Sequence, residues 1–534
     1  MTIQSSVLLR LVALASFLAL LAPSIADDSY STFCDAPYFD SSNFTIFTDN
    51  FYWGSAIAAY QVEGEVFLGR GPSIWDNFTH TYPGRIADKS NGDVAADFYN
   101  SYEEDLKLVK DMNMNSFRFS FSWTRLLPNG KLRDGVSQEG VAFYNRLIDQ
   151  MISYGLEPFA TIFHWDTPQA LDEEYGSFLS SNILSDFLDY AELCFQLFGD
   201  RVKKWITINE PYTYSVYAYN NGQFAPGRCS TWVNEACQVG NSSIEPYIVC
   251  HNLLLAHGAA VQLYREKYQE VQKGKIGITL SSFWYLPYTD NPLDSVAAST
   301  AVDFNIGWHL GPITSGQYPQ SMIKNVGDRL PVFTAEESEM LIGSFDFLGL
   351  NYYSTYYASY NDTVGNVDYT TDQHLIVHFN DREGVPIGPL APGSKWIYVY
   401  PAGIRHLLKH AKDVYNISLI YITENGISEQ DDDSLTLEEA LYDPWRKEYY
   451  RCHLWNVLKS MKEDDVNVEG YFTWSLMDNF EWQYGYTNRF GLIYIDFKNG
   501  LTRYPKDSVY WLTQFLKNAN SSIKEVVPAE VTPR

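Results

Sequence analysis

Basic residues are scarce in this sequence of 534 residues. Lysine and arginine number 38 against 65 aspartates and glutamates, which gives a formal net charge of −27 and an isoelectric point near 4.7. Because nucleic acids and anionic membranes are bound by clustered lysine and arginine, we expect neither as a partner. Cysteine is also scarce, and six residues are too few for a disulfide scaffold in so long a chain. With 46% hydrophobic residues, the chain can bury a large core instead.

Signatures of metal and nucleotide chemistry are missing as well. None of the ten histidines falls in an HxH or HExxH pattern, so we expect no metal site. The chain has no GxSxG motif, no Walker loop and no GxGxxG after its first predicted strand. These absences argue against serine hydrolases and nucleotide-dependent enzymes, and we expect no cofactor.

The one long apolar run is LVALASFLALLA at residues 11–22. Arg10 precedes this run, and Ser24 and Ala26 follow it at the spacing that signal peptidase needs, so residues 1–26 are predicted to be a signal peptide. An uncleaved membrane anchor is the alternative, but the run is shorter than the roughly 20 residues that a spanning helix needs. We therefore expect a protein of the secretory pathway, in an extracellular, vacuolar or ER-derived compartment, with no C-terminal ER-retention signal.

Secretion would permit disulfides and N-glycans. Cys229 and Cys237 bracket the short polar loop CSTWVNEAC and are the predicted disulfide pair. A disulfide between Cys34 and Cys452 would pin the N-terminal segment. Cys194 and Cys250 lie in apolar helical contexts and are expected to be free. The pairing of these four cysteines is left open. Triplets of the form N-x-Ser/Thr predict glycosylation at Asn43, Asn77, Asn241, Asn361, Asn416 and Asn520.

Short β-rich runs alternate with longer segments of helical periodicity. This alternation is typical of parallel strands joined by helices, and eight such runs fit an α/β fold consisting of a single (β/α)8 TIM barrel with long βα loops. The predicted strands are 52–55, 116–121, 158–163, 205–208, 275–280, 345–350, 419–423 and 470–474. One of the predicted helices begins with Ser101 as its cap.

No linker or repeat interrupts residues 44–516, which are predicted to form one catalytic domain. An N-terminal extension at 27–43 and a C-terminal tail at 517–534 flank it. The longest irregular segment, 360–395, follows the sixth strand and is expected to form one wall of the active site, because loops after barrel strands surround that site.

Two glutamates end predicted strands in polar, aromatic surroundings: Glu210 in WITINEP and Glu424 in IYITENG. The carboxyl ends of barrel strands converge on one substrate, and cleavage of a glycosidic bond needs two carboxyl groups. NEP or ENG alone would be weak evidence for a catalytic glutamate, since most glutamates at strand ends are surface residues. Two together, on the fourth and seventh strands, favour a glycosidase.

Three neighbouring motifs add polar groups at the same edge. Asn209 can hold the 2-hydroxyl of a sugar, and Arg118, in FRFSFSW, can lie beside one carboxylate and keep it ionised. Arg118 could equally be part of a structural ion pair. His164 and Trp165 end the third strand in FHWD, and the histidine is as compatible with a structural hydrogen bond as with binding a ligand.

At these residues the sequence resembles glycoside hydrolase family 1, which includes plant β-glucosidases and myrosinases. The resemblance extends from AAYQVEG near residue 58 to RFGLIYIDF near 489, with the motifs in family order. It implies a (β/α)8 barrel, no cofactor, and a retaining mechanism in which Glu210 of NEP is the acid/base and Glu424 of TENG is the nucleophile. It also implies that Trp396 is an aromatic platform for the leaving group. The implied glucose pocket comprises Gln61, His164, Trp165, Asn209, Tyr353, Trp474, Glu481, Trp482 and Phe490.

The expected function is that of a retaining β-glucosidase acting on the terminal β-D-glucosyl bond of a small O-glucoside, such as a plant secondary metabolite. Well-known myrosinases carry glutamine where this chain has Glu210, which favours O-glucosides without excluding thioglucosides. A transglucosidase on the same barrel and a non-catalytic carbohydrate-binding or storage protein are further alternatives. The sequence is also compatible with a homodimer. Two departures from the family, EGEVFLGRGPS after residue 62 and Ala402 in YPAGI, bear on the leaving group more than on catalysis.

Overall fold

A computed structural model of the protein describes residues 33–34, 47, 50–66, 68–363 and 365–526, with only the backbone described for 520–526. The predicted signal peptide and nearly all of the predicted extension at 27–43 lie outside the described residues. None of the described helices is both long enough and apolar enough to cross a membrane.

Eight parallel strands close into a barrel. Around the ring, each strand from β1 to β6 pairs with the next one in number. Strand β6 then pairs with β8, β8 with β10, and β10 with β1. The ring therefore has no open edge, and the predicted (β/α)8 barrel is confirmed. Its strands are β1 (Tyr52–Ala56), β2 (Ser116–Ser120), β3 (Glu157–Phe163), β4 (Lys204–Asn209), β5 (Lys275–Pro287), β6 (Phe347–Tyr360), β8 (Ile420–Asn425) and β10 (Val468–Trp474).

Within the described part of the chain, five shorter strands lie outside the ring. They are β7 (Leu375–His378), antiparallel to the end of β6, and two small antiparallel pairs, β9 (Glu429–Gln430) with β11 (Asn488–Arg489), and β12 (Ile493–Asp496) with β13 (Thr502–Pro505).

Helices surround the barrel and cover its outer face, which is why the barrel strands are buried nearly throughout. The α-helices are α1 (Ala59–Val62), α2 (Ile74–Thr81), α3 (Phe98–Asp111), α4 (Trp123–Leu126), α5 (Gln138–Ser153), α6 (Gln169–Tyr175), α7 (Ile183–Phe198), α8 (Pro211–Tyr219), α9 (Glu245–Lys267), α10 (Gln269–Gln272), α11 (Pro292–Val302), α12 (Trp308–Ser315), α13 (Gln320–Val326), α14 (Ala335–Leu341), α15 (Tyr369–Asp372), α16 (Ala402–Tyr415), α17 (Leu437–Leu441), α18 (Pro444–Glu463) and α19 (Asp507–Val526). Short 3-10 turns occur at Pro83–Arg85, Leu132–Asp134, Ser177–Leu179, Gly327–Arg329 and Trp482–Tyr484, and a π-helical turn at Asp303–Gly307.

Aromatic side chains fill the amino-terminal half of the barrel. Phe159 of β3 contacts Phe472 of β10, Tyr421 of β8 and Tyr52 of β1, with ring centroids 4.6, 5.3 and 5.2 Å apart. These strands are not all neighbours in the ring, so their rings meet across its interior. The barrel is therefore a packed core at this end, and open space is left only at the carboxyl ends of the strands.

Some predicted boundaries differ from those in the structure. Helix α3 begins at Phe98 after Asp97, so Ser101 lies inside the helix and does not cap it. Strands β5 and β6 extend to 287 and 360, beyond the predicted ends at 280 and 350, because they pair with each other past the rim of the barrel, for example Tyr285 with Tyr356. The segment 360–395 includes α15 and β7 before its last residues reach the mouth of the barrel. Residue 516, predicted as the end of the domain, lies within α19.

Two disulfides join the four paired cysteines. Cys229 bonds to Cys237, as predicted, and Cys34 bonds to Cys452 in α18, across 418 residues of sequence. The two free cysteines, Cys194 and Cys250, are buried in helices α7 and α9.

The two disulfides should differ in their contribution to stability. A cross-link stabilises mainly by restricting the unfolded chain, and the loop-entropy relation gives about 6 kcal/mol for the Cys34–Cys452 loop against about 3 kcal/mol for the Cys229–Cys237 loop. We therefore expect the double variant C34S/C452S to lower the Tm of the oxidised protein more than C229S/C237S. Thermal unfolding followed by circular dichroism measures both, and an equal or reversed order would contradict this prediction.

Candidate active site

The carboxyl ends of β4, β6 and β8 bring the predicted catalytic pair together. Asn209 is the last residue of β4 and Glu210 follows it, while Glu424 lies in β8 opposite Asn351 of β6. Glu210 has a φ of 46°, in the left-handed region, and directly precedes Pro211 at the start of α8. This unfavourable backbone conformation turns the chain sharply from strand to helix at the rim.

A cavity of about 1020 Å³ opens at this end of the barrel. Most of the predicted site residues line it. They are Glu210, Glu424, His164, Trp165, Tyr353, Trp396, Trp474, Glu481, Trp482 and Phe490. The other three, Gln61, Asn209 and Arg118, are at most 1% exposed and lie behind the wall, where they hydrogen-bond to residues that line it.

Glu424 is held from both sides. Arg118 donates from Nη1 to Glu424 Oε1 at 2.5 Å, and the Tyr353 hydroxyl donates to Oε2 at 2.7 Å. Both partners are buried, so these charge-assisted bonds act in a low dielectric and fix the direction of the carboxylate. The following Gly426 is required, since a side chain there would collide with the Trp474 carbonyl oxygen. A carboxylate fixed in this way and facing a cavity can act as a nucleophile.

Glu210 has a different environment. Burial and, after it, the negative charge of Glu424 raise the pKa of its carboxyl group to about 7. Two hydrogen bonds oppose this shift: Asn351 Nδ2 donates to Oε1 and the Thr213 hydroxyl donates to Oε2, each at 2.7 Å. A carboxyl group with a pKa near 7 can give up and take back a proton near neutral pH.

Asn209 connects the two carboxylates to the histidine of FHWD. Its Oδ1 accepts from Arg118 Nη2 at 2.6 Å, and its Nδ2 lies 3.1 Å from His164 Nε2. Burial and the nearby Arg118 charge hold the pKa of His164 well below its usual value, so the ring is neutral and its Nε2 accepts. The proton is then on Nδ1, which is buried and has no hydrogen-bond partner among the described residues. His164 can therefore donate this proton to a ligand hydroxyl.

Glu481 lines the cavity, and Gln61 lies behind it. Gln61 Nε2 donates to the Phe480 carbonyl at 2.9 Å and lies 3.3 Å from Glu481 Oε2. Burial, followed by the Glu424 charge, raises the pKa of Glu481 to about 8. The Gln61 Oε1 atom is buried without a partner among the described residues. Unsatisfied buried groups of this kind are what a polyhydroxylated ligand would satisfy.

Aromatic rings form the remaining walls. Trp165 and Trp482 lie with ring centroids 4.8 Å apart, and Tyr353 contacts Trp396 at 5.5 Å and Phe490 at 6.2 Å. Such faces stack on the apolar side of a sugar ring or an aromatic group.

Several residues that contact the pair or line the cavity were not predicted. Asn351, the first residue of NYYS, pairs with Glu424 across β6 and β8, and a polar residue within a buried strand could have signalled it; Thr213 lies in the first turn after Glu210. The other lining residues had no sequence signal of their own, apart from the expectation that the segment 360–395 forms a wall, because only the fold brings their segments together. They include Arg85, Lys89, Phe224, Phe283, Lys395 and Gln430.

The structure brings one group of potential metal ligands together among the described residues. These are Cys34, Glu448 and Cys452, but the two cysteines form a disulfide, and none of the three lines the cavity.

Comparisons with known proteins agree with this arrangement. A sequence model described as glycosyl hydrolase family 1 matches residues 44–521. β-Glucosidase 24 of Oryza sativa subsp. japonica is 54% identical over 475 residues, which cover 88% of this chain and 94% of that protein. Raucaffricine-O-β-D-glucosidase of Rauvolfia serpentina is 50% identical over 496 residues, covering 88% and 91%. The crystal structure of a rice β-glucosidase superposes with a TM-score of 0.86 at 45% identity, covering 88% and 98%. By its sequence, its closed barrel and its pair of rim glutamates, the chain belongs to glycosyl hydrolase family 1.

Proposed function

We propose that this chain is a retaining β-glucosidase that hydrolyses the terminal β-D-glucosyl bond of a small O-glucoside. The observation that carries the proposal is the pair of buried glutamates at the ends of β4 and β8, which face one cavity in opposite electrostatic settings. Glu424 accepts from Arg118 and Tyr353, while burial raises the pKa of Glu210 to about 7. Two carboxyl groups of this kind divide the roles that glycosidic cleavage needs.

In the first step, a Glu424 oxygen attacks the anomeric carbon and forms an ester to the sugar. The bond from that carbon to the leaving oxygen breaks, and Glu210 gives its proton to this oxygen. In the second step, water attacks the anomeric carbon while Glu210 accepts a proton from it, and Glu424 leaves as a carboxylate. Two displacements at one carbon restore the original configuration.

Around the sugar, the structure offers partners for several hydroxyls. His164 Nδ1 and Gln61 Oε1 are a buried donor and a buried acceptor without protein partners among the described residues, and Glu481 faces the same cavity. These groups support a glucose-like ring in the inner part of the cavity. The carboxyl group at position 210 supports an oxygen leaving group, because an alkoxide or phenolate needs a proton more than a thiohydroximate does. The name of the Rauvolfia relative, an O-β-D-glucosidase, supports the same choice.

We also propose that residues 1–26 are removed as a signal peptide and that the protein resides in the secretory pathway. Both disulfides suit an oxidising compartment. Of the predicted glycosylation sites, Asn77 and Asn416 are exposed and Asn241 and Asn361 are half-buried. Asn43, like the side chain of Asn520, lies outside the described residues. The homodimer stays a prediction.

Replacing the nucleophile should abolish turnover. We expect E424Q to lower kcat for 4-nitrophenyl β-D-glucoside by about three orders of magnitude or more, because an amide cannot form the ester to the sugar. The matched control is E336Q, an exposed glutamate in the first turn of α14, which should retain wild-type kcat. Circular dichroism establishes that both variants fold, and near-normal turnover by folded E424Q would refute the proposed function.

Replacing the acid should give a loss that depends on the leaving group. We expect E210Q to lower kcat/KM by about 10²- to 10⁴-fold for 4-methylphenyl β-D-glucoside, whose leaving oxygen needs a proton. The loss for 2,4-dinitrophenyl β-D-glucoside should be far smaller, because that phenolate leaves unprotonated. Steady-state kinetics on the two substrates make the comparison, and equal losses would rule out the acid role of Glu210.

The pH profile should follow the environment of Glu210. Because the protonated form acts first, kcat/KM should fall as pH rises through about 7. The Thr213 hydroxyl donates to the carboxylate and so lowers the pKa of Glu210. We expect T213V to move this alkaline limb to higher pH by about 0.5 to 1 unit, from the usual net strength of one hydrogen bond. The control T513V, in α19, should leave the alkaline limb at its wild-type pH. If T213V moved this limb to lower pH, the limb would be due to a group other than Glu210.

A further inference from the structure

The outer part of the cavity is basic, although the protein is strongly acidic. Arg85, Lys89 and Lys395 line the cavity, in a chain whose net charge is −27. We propose that the leaving group of the substrate carries an anionic group, a carboxylate or a sulfate-like oxyanion, which these side chains attract. This inference rests on the proposed function, since it concerns the half of the cavity beyond the sugar.

The acidic lining residues do not offset this charge. Among the described residues that line the cavity, the only carboxyl groups are Glu210, Glu424 and Glu481. Glu210 and Glu424 are buried and Glu481 is half-buried, all three among the groups assigned to the sugar, and Glu424 is paired with Arg118. The lining residues outside this inner group are basic, neutral polar, aromatic or aliphatic, and none is acidic. A local positive field of this kind raises the concentration of anionic ligands at the mouth and disfavours cationic ones.

On one side of the mouth, the segment 84–89 presents two of the cations. Arg85 donates to the carbonyl oxygens of Gly222, Gly227 and Ala236, and no described carboxylate pairs with it. The neighbouring acid, Asp88, is occupied by hydrogen bonds from Ser90 and from the Tyr486 backbone. Lys89 is exposed and makes no ion pair with a described residue, so its charge is available to a ligand.

On the other side, a tight turn presents Lys395. The Ser394 hydroxyl accepts from the backbone N–H groups of Trp396 and Ile397, which fixes the backbone on both sides of the lysine. Lys395 is exposed and forms no ion pair within the described part of the chain. Its neighbour Trp396 also lines the cavity and contacts Tyr353. An aromatic leaving group stacked on Trp396 would therefore place a substituent at its edge within the reach of a flexible lysine.

The test compares substrates that share one leaving oxygen. These are the β-D-glucosides of 7-hydroxy-4-methylcoumarin, of 7-hydroxycoumarin-4-acetate and of 7-hydroxycoumarin-4-methanesulfonate, which are neutral, carboxylated and sulfonated. We expect the wild type to show a higher kcat/KM for at least one charged substrate at low ionic strength, and the larger value identifies the anion. The advantage should shrink in 0.5 M salt, because exposed charges are screened (Debye length roughly 4 Å).

Two variants connect this preference to the lysines. The double variant K89Q/K395Q should reduce the ratio of charged to neutral kcat/KM by about three- to tenfold, as expected for two partly exposed ion pairs. The matched control K324Q removes an exposed lysine of α13, outside the cavity, and should leave the ratio and the neutral rate unchanged.

The outcomes separate the two proposals. If the wild type fails to hydrolyse even the neutral coumarin glucoside, the proposed function is in question. If it hydrolyses the neutral substrate but prefers neither charged one, or if K89Q/K395Q lowers all three rates equally, the anionic leaving group is refuted and the glucosidase proposal stands.

Discussion

The guanidinium of Arg118 is the interaction on which the geometry of the active site depends. From β2 it donates to Glu424 and the Thr423 carbonyl on β8, and to Asn209 on β4. All these groups are buried, so each would carry a large desolvation penalty without its partners. Because one planar cation on β2 donates hydrogen bonds to groups on both β4 and β8, the two glutamates at the ends of these strands are held in a fixed relation. The closed barrel makes this possible, since it brings the carboxyl ends of non-neighbouring strands to one rim.

The same network explains how two chemically identical side chains come to differ. Glu424 receives the arginine and a tyrosine hydroxyl, whereas Glu210 receives only neutral donors, from Asn351 and Thr213. Burial and the Glu424 charge then raise the pKa of Glu210. The pKa of one carboxyl group thus depends on its burial and on the charge of the other. The division of roles is a property of the pair and its surroundings, and neither residue has it alone.

The inner and outer parts of the cavity have different structural origins. Strand ends supply the inner groups, such as Asn209, Glu424 and Trp474, and their positions follow from hydrogen-bonded registers. Segments outside the barrel strands supply the outer groups, including Lys89, Lys395 and Gln430 of the short strand β9. Sugar recognition can therefore be rigid, while the surface that meets the leaving group can vary without disturbing the barrel.

The sequence by itself determined the eight strands and the two glutamates that end two of them, because each barrel strand has its own hydrophobic run ending in polar residues. Most of the aromatic and polar groups around the glutamates were implied only by the resemblance of the motifs to glycoside hydrolase family 1. It also indicated the Cys229–Cys237 pair, which spans only eight positions. It missed the extension of β5 and β6 past the rim, the true start of α3 at Phe98, and the partners Asn351 and Thr213. Only the tertiary structure decided that Gln61, Asn209 and Arg118 lie behind the cavity wall, that the pKa of Glu210 rises to about 7, and that cations from 84–89 and 393–396 share one mouth. Burial and electrostatic coupling depend on contacts between segments hundreds of residues apart, and local sequence patterns contain no information about such contacts.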